Sequence, residues 1–396
     1  MIGKANHKTT RAHNKRLILK TIYNAGEISR ADVARETGLT RATVSDTVAE
    51  LMEEGLVKEV RVGKSTGGKP PTLLSVVENS RYLIGIDLAD SEFCGAGLNL
   101  RGKIRNRFKI PVKDSDGEKA LSLLYQLIEK LIESADSPIL GIGIGTPGLI
   151  DPERGIVKNA VNLDWHDLPL KEILEKKYNL PVYIANDCQV AALAESTFGE
   201  NNGVKNLIVI KVGKGTGAGI VINGKIYYGD GFGAGEIGHV KVIDDGDICR
   251  CGNSGCLETL TSTRAILKSA KVIFQQDKNS LLHNFTKNSD EIDMETIFKA
   301  FEAGDKEIHK LISIVGHYLG IVIANLVGSL NIQNIVIAGV LSRFGSALIK
   351  PMEEEIKRRS LKALASVTRI TVSKLGSEIV ILGAGALLLA NQLGLP

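Results

Sequence analysis

Residues 83–87 read Leu-Ile-Gly-Ile-Asp and lead, after a turn, into the apolar run 95–100. The same order recurs at residues 207–211, Leu-Ile-Val-Ile-Lys, which lead through a glycine-rich turn to the apolar run 218–222. Short apolar runs joined by turns are typical of antiparallel strand pairs. Because each pair opens a stretch in which strands alternate with helices, we predict an α/β fold of two lobes related by internal duplication, with a cleft between them. Chance similarity is the alternative, because the repeated segments are short.

The composition restricts the class of protein. The 396 residues include 24% charged residues, ten Pro and five Cys, which excludes a disordered chain, a collagen-like chain and a disulfide framework. The longest apolar stretch, 318–330, is interrupted by Asn325 and Ser329 and is too short to span ~30 Å of hydrocarbon. No signal-peptide pattern opens the chain. We therefore expect a cytoplasmic protein with no membrane partner.

The charge is distributed unevenly along the chain. Residues 1–80 carry 13 Lys and Arg against 9 Asp and Glu, whereas residues 81–396 carry 36 of each, so the formal net charge of +4 lies in the first fifth. A basic segment ahead of a neutral body predicts a polyanionic partner for the N-terminal region. A merely solvated tail is the alternative.

A helix-turn-helix is predicted ahead of the two lobes. The apolar spacing from Asn14 predicts a first helix that ends at Gly26, and Ser29 is a capping residue for a short second helix that ends at Gly38. Thr40 caps a third helix, whose N-terminal end would enter the major groove of DNA. The residues on or beside its outward face are Arg41, Ala42, Thr43, Ser45 and Asp46.

Two strand patterns after the third helix predict a wing. Residues 56–62 alternate between apolar and polar, residues 63–69 form a Gly/Lys turn, and the chain returns as a second strand. We expect Arg41 to contact a base or a phosphate of operator DNA, and Lys64 and Lys69 to contact phosphate. The alternative is a three-helix module with a structural or protein-docking role.

The most specific local pattern combines one histidine with three cysteines. His239 lies ten residues before Cys249, and Cys251 and Cys256 follow closely. Disulfides are disfavoured in the cytoplasm, whereas three thiolates and one imidazole complete the tetrahedral shell of Zn²⁺. Because four protein ligands leave no open coordination position, we predict one structural Zn²⁺ per chain. Reduced free thiols are the alternative.

Two further motifs permit two interpretations each. Residues 213–219 contain four glycines, which can cradle a phosphate with backbone N–H groups or simply form a hairpin bend. Asn186 and Asp187 end the strand pattern 182–185. There a carboxylate that faces the cleft can accept a proton from a sugar hydroxyl. A helix cap is the alternative for this pair.

Together these motifs resemble those of the ROK family, which groups bacterial sugar repressors, open reading frames and sugar kinases. The resemblance covers essentially the whole chain, and the segments that carry it are 28–34, 38–45, 67–70, 145–148, 186–187, 213–219, 236–239 and 249–256. It implies an N-terminal winged helix-turn-helix joined to a two-lobed, actin-like (ribonuclease H-like) sugar-kinase fold. It also implies a homodimer or homotetramer.

The resemblance further implies a sugar site. The matching residues are Asn186, Asp187, Glu236, His239 and Glu258, with Asn162 as a further candidate from a loop that covers the sugar. Asp187 matches the catalytic base of the kinases, and His239 would hold zinc on one ring nitrogen and the sugar on the other. With Asn186 and Asp187 on one side of the interlobe cleft and the other ligands opposite them, a bound sugar would favour closure and alter operator affinity.

The departures from the family pattern favour a repressor. Residues 87–91 lack both glycines of the kinase turn that holds ATP phosphates and add a carboxylate, and residues 338–340, Ala-Gly-Val, lack the paired glycines of the adenosine turn. We predict no catalytic residue, with Asp187 as a vestigial base, and a sugar-responsive DNA-binding repressor of a carbohydrate-utilisation operon. The expected effector class is xylose, glucose or N-acetylglucosamine, with xylose slightly favoured. The alternatives are an ATP-dependent hexose or N-acetylhexosamine kinase, and an architectural DNA-binding protein.

The sequence pattern predicts four segments. They are the winged helix-turn-helix at 1–80, a first lobe at 81–195, a second lobe with the zinc site at 196–375, and a C-terminal helix at 376–396 that packs back on the first lobe.

Overall fold

The computed structural model describes residues 7–63, 70–89, 91–112 and 115–395. Contacts along the chain divide it into two compact units. The first unit comprises Met1–Gly148, Pro152–Ala185 and Ala384–Pro396, and the second comprises Leu149–Asp151 and Asn186–Gly383.

The first unit begins with the predicted winged helix-turn-helix. Its elements are α1 (His7–Ala25), β1 (Ile28–Ser29), α2 (Arg30–Thr37), α3 (Arg41–Glu53), β2 (Val57–Val62) and β3 (Thr72–Val76). The three strands form one sheet in the order β1-β3-β2, and the helices bury Ile18, Val44 and Leu51 completely. The predicted turn of the wing, with Lys64 and Lys69, lies outside the described residues.

An α/β lobe follows within the same unit. Its elements are β4 (Tyr82–Leu88), β5 (Glu92–Leu98), β6 (Ile104–Pro111), α4 (Gly117–Glu133), β7 (Ile139–Thr146), β9 (Ile156–Ala160), β10 (Trp165–Leu168), α5 (Leu170–Tyr178) and β11 (Val182–Asn186), whereas β8 (Leu149–Asp151) belongs to the second unit. The five-stranded sheet has the order β11-β7-β4-β5-β6. Its central strand β4 is antiparallel to β5 and parallel to β7.

The second unit contains a sheet of the same kind. Its elements include α6 (Asp187–Phe198), β12 (Leu207–Val212), β13 (Thr216–Ile222), β14 (Lys225–Ile226), α7 (Glu258–Thr261), α8 (Thr263–Gln276), α9 (Met294–Glu302), α10 (Lys306–Leu330), β15 (Asn334–Gly339), α11 (Ser346–Arg359), α12 (Lys362–Ala365) and β16 (Arg369–Val372). Helix α13 (Ile379–Leu388) passes from the second unit to the first after Gly383. The sheet order is β14-β13-β12-β15-β16. Strand β12 is antiparallel to β13 and parallel to β15, as β4 is to β5 and β7. The predicted α/β fold with two related hairpins is therefore confirmed.

The position of α6 determines where the candidate sugar ligands lie. A Cβ atom on Gly219 of β13 would stand 2.0 Å from the carbonyl oxygen of Cys188, so the helix and the strand approach as closely as glycine allows. Helix α6 therefore belongs to the second unit, and Asn186 and Asp187 lie in the same unit as Glu236, His239 and Glu258. This differs from the expectation that the two sets face each other from different lobes. The lobe limits at residues 195 and 375 stay predictions.

Two apolar helical segments meet the length and composition expected of a membrane span, α10 and Gly376–Leu393. More than half of each is buried inside the protein, as is usual for a core helix. In α10, Gly316 and Gly320 permit close packing on α11, because Cβ atoms there would stand 2.5 Å from the Leu348 carbonyl oxygen and 2.8 Å from the Met352 Cα atom.

Candidate functional site

The caps of the helix-turn-helix form as the sequence predicts. The Ser29 Oγ atom accepts from the Asp32 backbone N–H at 3.2 Å, and Thr40 Oγ1 accepts from the Thr43 N–H at 3.2 Å. Gly38 has φ +70°, a left-handed conformation that glycine adopts without strain, and so it ends α2 and turns the chain toward α3.

The outward face of α3 is free for a partner. Arg41, Ala42, Ser45 and Asp46 are exposed and Thr43 is half-buried, whereas the opposite face is buried. Other basic side chains of this domain are held in ion pairs: Arg30 lies 2.9 Å from Glu59, and Arg61 lies 2.6 Å from Glu27. Within the described part of the chain, Arg41 has no ion-pair partner. It is therefore the cation of α3 that can bind an anion or a base edge without first breaking an ion pair.

His239 and the three cysteines converge as predicted. Their ligand atoms all lie within 4.8 Å of one another. The Cys251 and Cys256 sulfurs are 3.7 Å apart, and His239 Nδ1 lies 3.5 Å from the Cys249 sulfur. A tetrahedral site with Zn–S bonds of ~2.3 Å needs S···S separations of ~3.8 Å, so the four side chains fit a zinc ion with little movement.

Ionisation of one ligand is already favoured locally. A hydrogen bond from the Asn253 backbone lowers the pKa of Cys251 to about 7, whereas burial raises the pKa of Cys256 to about 12. A metal ion would supply the positive charge that stabilises the remaining thiolates. Because Nδ1 of His239 faces the sulfurs, Nε2 is the ring nitrogen that faces Glu236, at 3.9 Å from Oε2.

Asn186 and Asp187 stand at the start of α6. Asn186 caps the helix, with Oδ1 accepting from the Cys188 N–H at 2.9 Å. Asp187 Oδ1 accepts from the same N–H at 2.8 Å, and Oδ2 pairs with the Lys211 ammonium at 2.7 Å. The side chains of this pair are only 17% and 21% exposed, so the ion pair is a mostly buried feature of the site.

Glu236 and Glu258 complete a cluster of carboxylates. Burial raises the pKa of Glu236, the charge of His239 lowers it, and the charges of Asp187 and Glu258 raise it. Glu258 Oε2 accepts from the Thr216 backbone N–H at 3.1 Å, at the hairpin between β12 and β13. Asn162, the remaining predicted sugar ligand, is exposed on the short helix Val161–Leu163 of the first unit.

Close packing explains Gly215, Gly217 and Gly219 of the β12–β13 hairpin without a phosphate, whereas a Cβ atom on Gly213 would meet nothing within 4 Å. A Cβ atom on Gly217 would lie 2.7 Å from the Cys188 sulfur, and a Cβ on Gly215 would lie 2.8 Å from Glu258 Oε2. Small residues are thus needed here because α6 and Glu258 pack directly against the hairpin.

Sequence reasoning missed Lys211 as a site residue. A signal was available, because the hairpin repeat aligns Lys211 with Asp87 at the end of an otherwise apolar strand. A lone cation at such a position is unusual unless a carboxylate pairs with it.

Comparison with known proteins agrees with this geometry. The ROK family model matches residues 83–391, and a winged helix-turn-helix DNA-binding model matches residues 11–58. The chain belongs to the ROK family. This ROK protein is 39% identical over 395 residues to the xylose repressor of Caldicellulosiruptor bescii, and the comparison covers 99% of each chain.

Both branches of the ROK family occur among the similar proteins. The glucokinase of Halalkalibacterium halodurans is 34% identical over 312 residues, which cover 78% of this chain and 94% of the glucokinase. The crystal structure of a ROK family transcriptional regulator, a homologue of the E. coli MLC protein, superposes with a TM-score of 0.86 at 30% identity and covers 98% of both chains. The similarity to the regulator extends over nearly the full length of this chain, whereas the similarity to the glucokinase covers 78% of it.

Proposed function

We propose that this chain is a sugar-responsive transcriptional repressor that binds operator DNA through α3. The observation that carries the proposal is the joining, in one chain, of an exposed recognition helix with an available Arg41 to a ROK body that holds a carboxylate and imidazole cluster. A sugar that binds the non-DNA state better than the DNA-bound state lowers operator affinity. Typical coupling is about 1–3 kcal/mol, and DNA weakens sugar binding by the same factor.

The effector is a neutral sugar, with xylose the first choice. Asp187, Glu236 and Glu258 supply acceptors for sugar hydroxyls, and Lys211 offsets one of the three charges. A sugar phosphate would add negative charge to this cluster and would be repelled. The similarity to the xylose repressor over nearly the whole chain supports a pentose among the neutral sugars.

The site acts as a sensor without phosphoryl transfer. A base must be free to accept the hydroxyl proton, but Asp187 Oδ2 is already occupied by an ion pair with the Lys211 ammonium at 2.7 Å. Glu258 occupies the Thr216 N–H of the hairpin, where a second anion would be repelled. Similarity to a glucokinase keeps ATP-dependent sugar phosphorylation as the second candidate function.

Two further parts of the proposal concern the metal and the assembly of the chain. We infer one structural Zn²⁺ per chain on His239 and the three cysteines, which would fix the ring of His239 so that Nε2 faces the sugar. A cytoplasmic homodimer, or a homotetramer built from it, would present paired recognition helices to an inverted repeat.

A sugar panel tests the function directly. Xylose should shift thermal unfolding of the full-length protein upward and weaken binding to the operator ~5–150-fold. With ATP added, ADP release should stay at the sugar-free rate, with the H. halodurans glucokinase as the positive control. Rapid ADP release with any sugar would replace the sensor by the kinase. A protein that binds operator DNA, but that binds no sugar of the panel and whose DNA affinity no sugar changes, would favour the architectural role.

Replacement of Arg41 tests the DNA surface. Arg41→Ala should weaken operator binding by ~1–3 kcal/mol if the guanidinium reads a base edge, because a bidentate contact is lost. Arg35→Ala is the matched control, since Arg35 is exposed on α2 but pairs with Asp32 at 2.5 Å. Fluorescence anisotropy on operator and on scrambled DNA measures both. Equal losses in the two variants, or none in either, would remove Arg41 from the reading surface.

A further inference from the structure

The winged helix-turn-helix is attached to the first lobe by more than its covalent connection. Helix α1 ends against the turn that joins β5 to β6, and both elements lie in the same compact unit. Tyr23 of α1 is only 5% exposed, and its hydroxyl donates to the Leu100 carbonyl oxygen at 2.9 Å. Burial raises the pKa of Tyr23, so its phenol stays neutral and remains a donor near neutral pH.

Arg101 binds the other side of Tyr23. Its Nη2 donates to the Tyr23 carbonyl oxygen at 2.8 Å, and its Cζ lies 3.9 Å from the centroid of the Tyr23 ring. The guanidinium also lies 3.7 Å from Glu78, in the short connection between the two domains. One arginine of the lobe therefore contacts a ring and a backbone carbonyl of the DNA-binding domain and the linker. Tyr23, Leu100 and Arg101 are called the α1 joint below.

The turn that carries the α1 joint is itself rigid. Asn99 is 1% exposed, and its Oδ1 accepts from the N–H groups of Arg101 and Lys103, each at 2.9 Å. Leu100 is fully buried and donates its N–H to the Glu78 carbonyl oxygen at 2.9 Å. Motion of the β5–β6 turn is thus transmitted to α1 with little slack.

Contacts at two other points prevent the domain from rotating about the α1 joint. Arg81 Nη2 donates to the Glu54 carbonyl oxygen, just after α3, at 2.8 Å. The stem of Arg16 in α1 packs on Gly394, where a Cβ atom would stand 3.2 Å from Arg16 Cδ. Three separated attachment points define an orientation, whereas a single flexible linker does not.

We propose that Arg101 is a positioning residue: through the α1 joint it fixes the recognition helix on the first lobe, so that the body sets the spacing at which paired helices meet DNA. The inference rests on the proposed repressor function for its biological meaning. Its structural content, a rigid attachment that depends on Arg101, is testable without sugar or DNA.

Hydrogen exchange on the full-length protein tests the attachment itself. In Arg101→Ala the amides of Val77 and Leu100, which donate across the connection, should exchange about tenfold faster, whereas the β12 amides should not change. Arg105→Ala is the matched control, because Arg105 also lies over a tyrosine ring, Tyr82 at 5.9 Å, but within the lobe. Tyr23→Phe keeps the ring and removes one hydrogen bond, so it should give an intermediate effect. Unchanged protection in Arg101→Ala would overturn the proposal.

An operator spacing series tests the consequence for DNA. Two inserted base pairs rotate one half-site by about 70° relative to the other. The wild type and Arg105→Ala should lose about 100-fold in affinity on this DNA, whereas Arg101→Ala should lose less than about tenfold, because the recognition helices can follow the half-sites. At the natural spacing all three should bind alike, and Arg101→Lys should restore part of the wild-type profile. Identical spacing profiles in wild type and Arg101→Ala would overturn the proposal, as would a flat wild-type profile.

The sugar response separates this inference from the proposed function. Arg101→Ala should bind xylose as the wild type does, but the ratio of operator affinities without and with xylose should fall toward one. If the wild type shows no sugar response while the exchange and spacing results hold, the proposed effector is wrong and the positioning role stands. An unchanged ratio in Arg101→Ala would overturn the role of the α1 joint in the response.

Discussion

Purified protein should contain about one Zn²⁺ per chain, and Cys251→Ser should remove it together with much of the stability of the second unit. Metal at 1,000 times its dissociation constant stabilises a folded state by about 4 kcal/mol, so the loss should be at least of that order. The segment 240–256 contains no helix or strand. Two isolated bridges, Lys241 to Cys256 and Ile248 to Ser254, and a few loop hydrogen bonds such as Cys249 N–H to the Asn253 carbonyl oxygen hold it, and Ile248 is 82% exposed.

Metal analysis combined with thermal unfolding measures this effect. Cys94→Ser is the matched control, since Cys94 is a half-buried thiol of the first unit outside the cluster, and it should retain the full zinc content. A chelator should lower the unfolding temperature of wild type and of Cys94→Ser but not of Cys251→Ser. Wild-type protein that carries no metal and unfolds at the same temperature as Cys251→Ser would contradict the zinc assignment.

Features that depend on neighbours in sequence were predictable. The caps at Ser29 and Thr40 and the stop at Gly38 each involve hydrogen bonds or backbone angles within a few residues, so the sequence alone places α2 and α3. The zinc candidates were predictable for a related reason, because Cys251 and Cys256 lie on one short loop whose spacing suits a metal. The paired strands of each hairpin are likewise neighbours along the chain.

Features that depend on tertiary packing were not predictable from the sequence. Lys211 and Asp187 lie on different elements, and no local pattern indicates that the ammonium reaches that carboxylate. The alternation of strands and helices does not indicate which sheet a helix packs on, so Asn186 and Asp187 were expected on the wrong side of the unit division. Arg101 and Tyr23 are still farther apart in sequence, and only the fold brings them together.

Asp187→Asn should strongly weaken the sugar response while operator binding without sugar stays at the wild-type level. Asp187 supplies a charged acceptor for a sugar hydroxyl, and a hydrogen bond to a charged group contributes about 1.5–3 kcal/mol, so sugar affinity should fall ~10–150-fold. The substitution also removes the carboxylate that pairs with the mostly buried Lys211 ammonium, so stability should fall.

A double variant separates the two effects of that substitution. In Asp187→Asn with Lys211→Met the ammonium that lost the Asp187 carboxylate is also removed, so stability should recover. The charged acceptor is still missing, and the sugar response should not return. Glu200→Gln is the matched control, because Glu200 is an exposed acid of the second unit that pairs with Lys374 at 2.5 Å. Operator titration with and without xylose, beside thermal unfolding, distinguishes the outcomes.

A double variant that regains both stability and sugar response would show that Asp187 only balances Lys211. A single Asp187→Asn variant that responds like the wild type would remove Asp187 from the sugar site altogether. A loss of sugar response that persists after stability is restored would assign Asp187 a role in the sugar site beyond its pairing with Lys211.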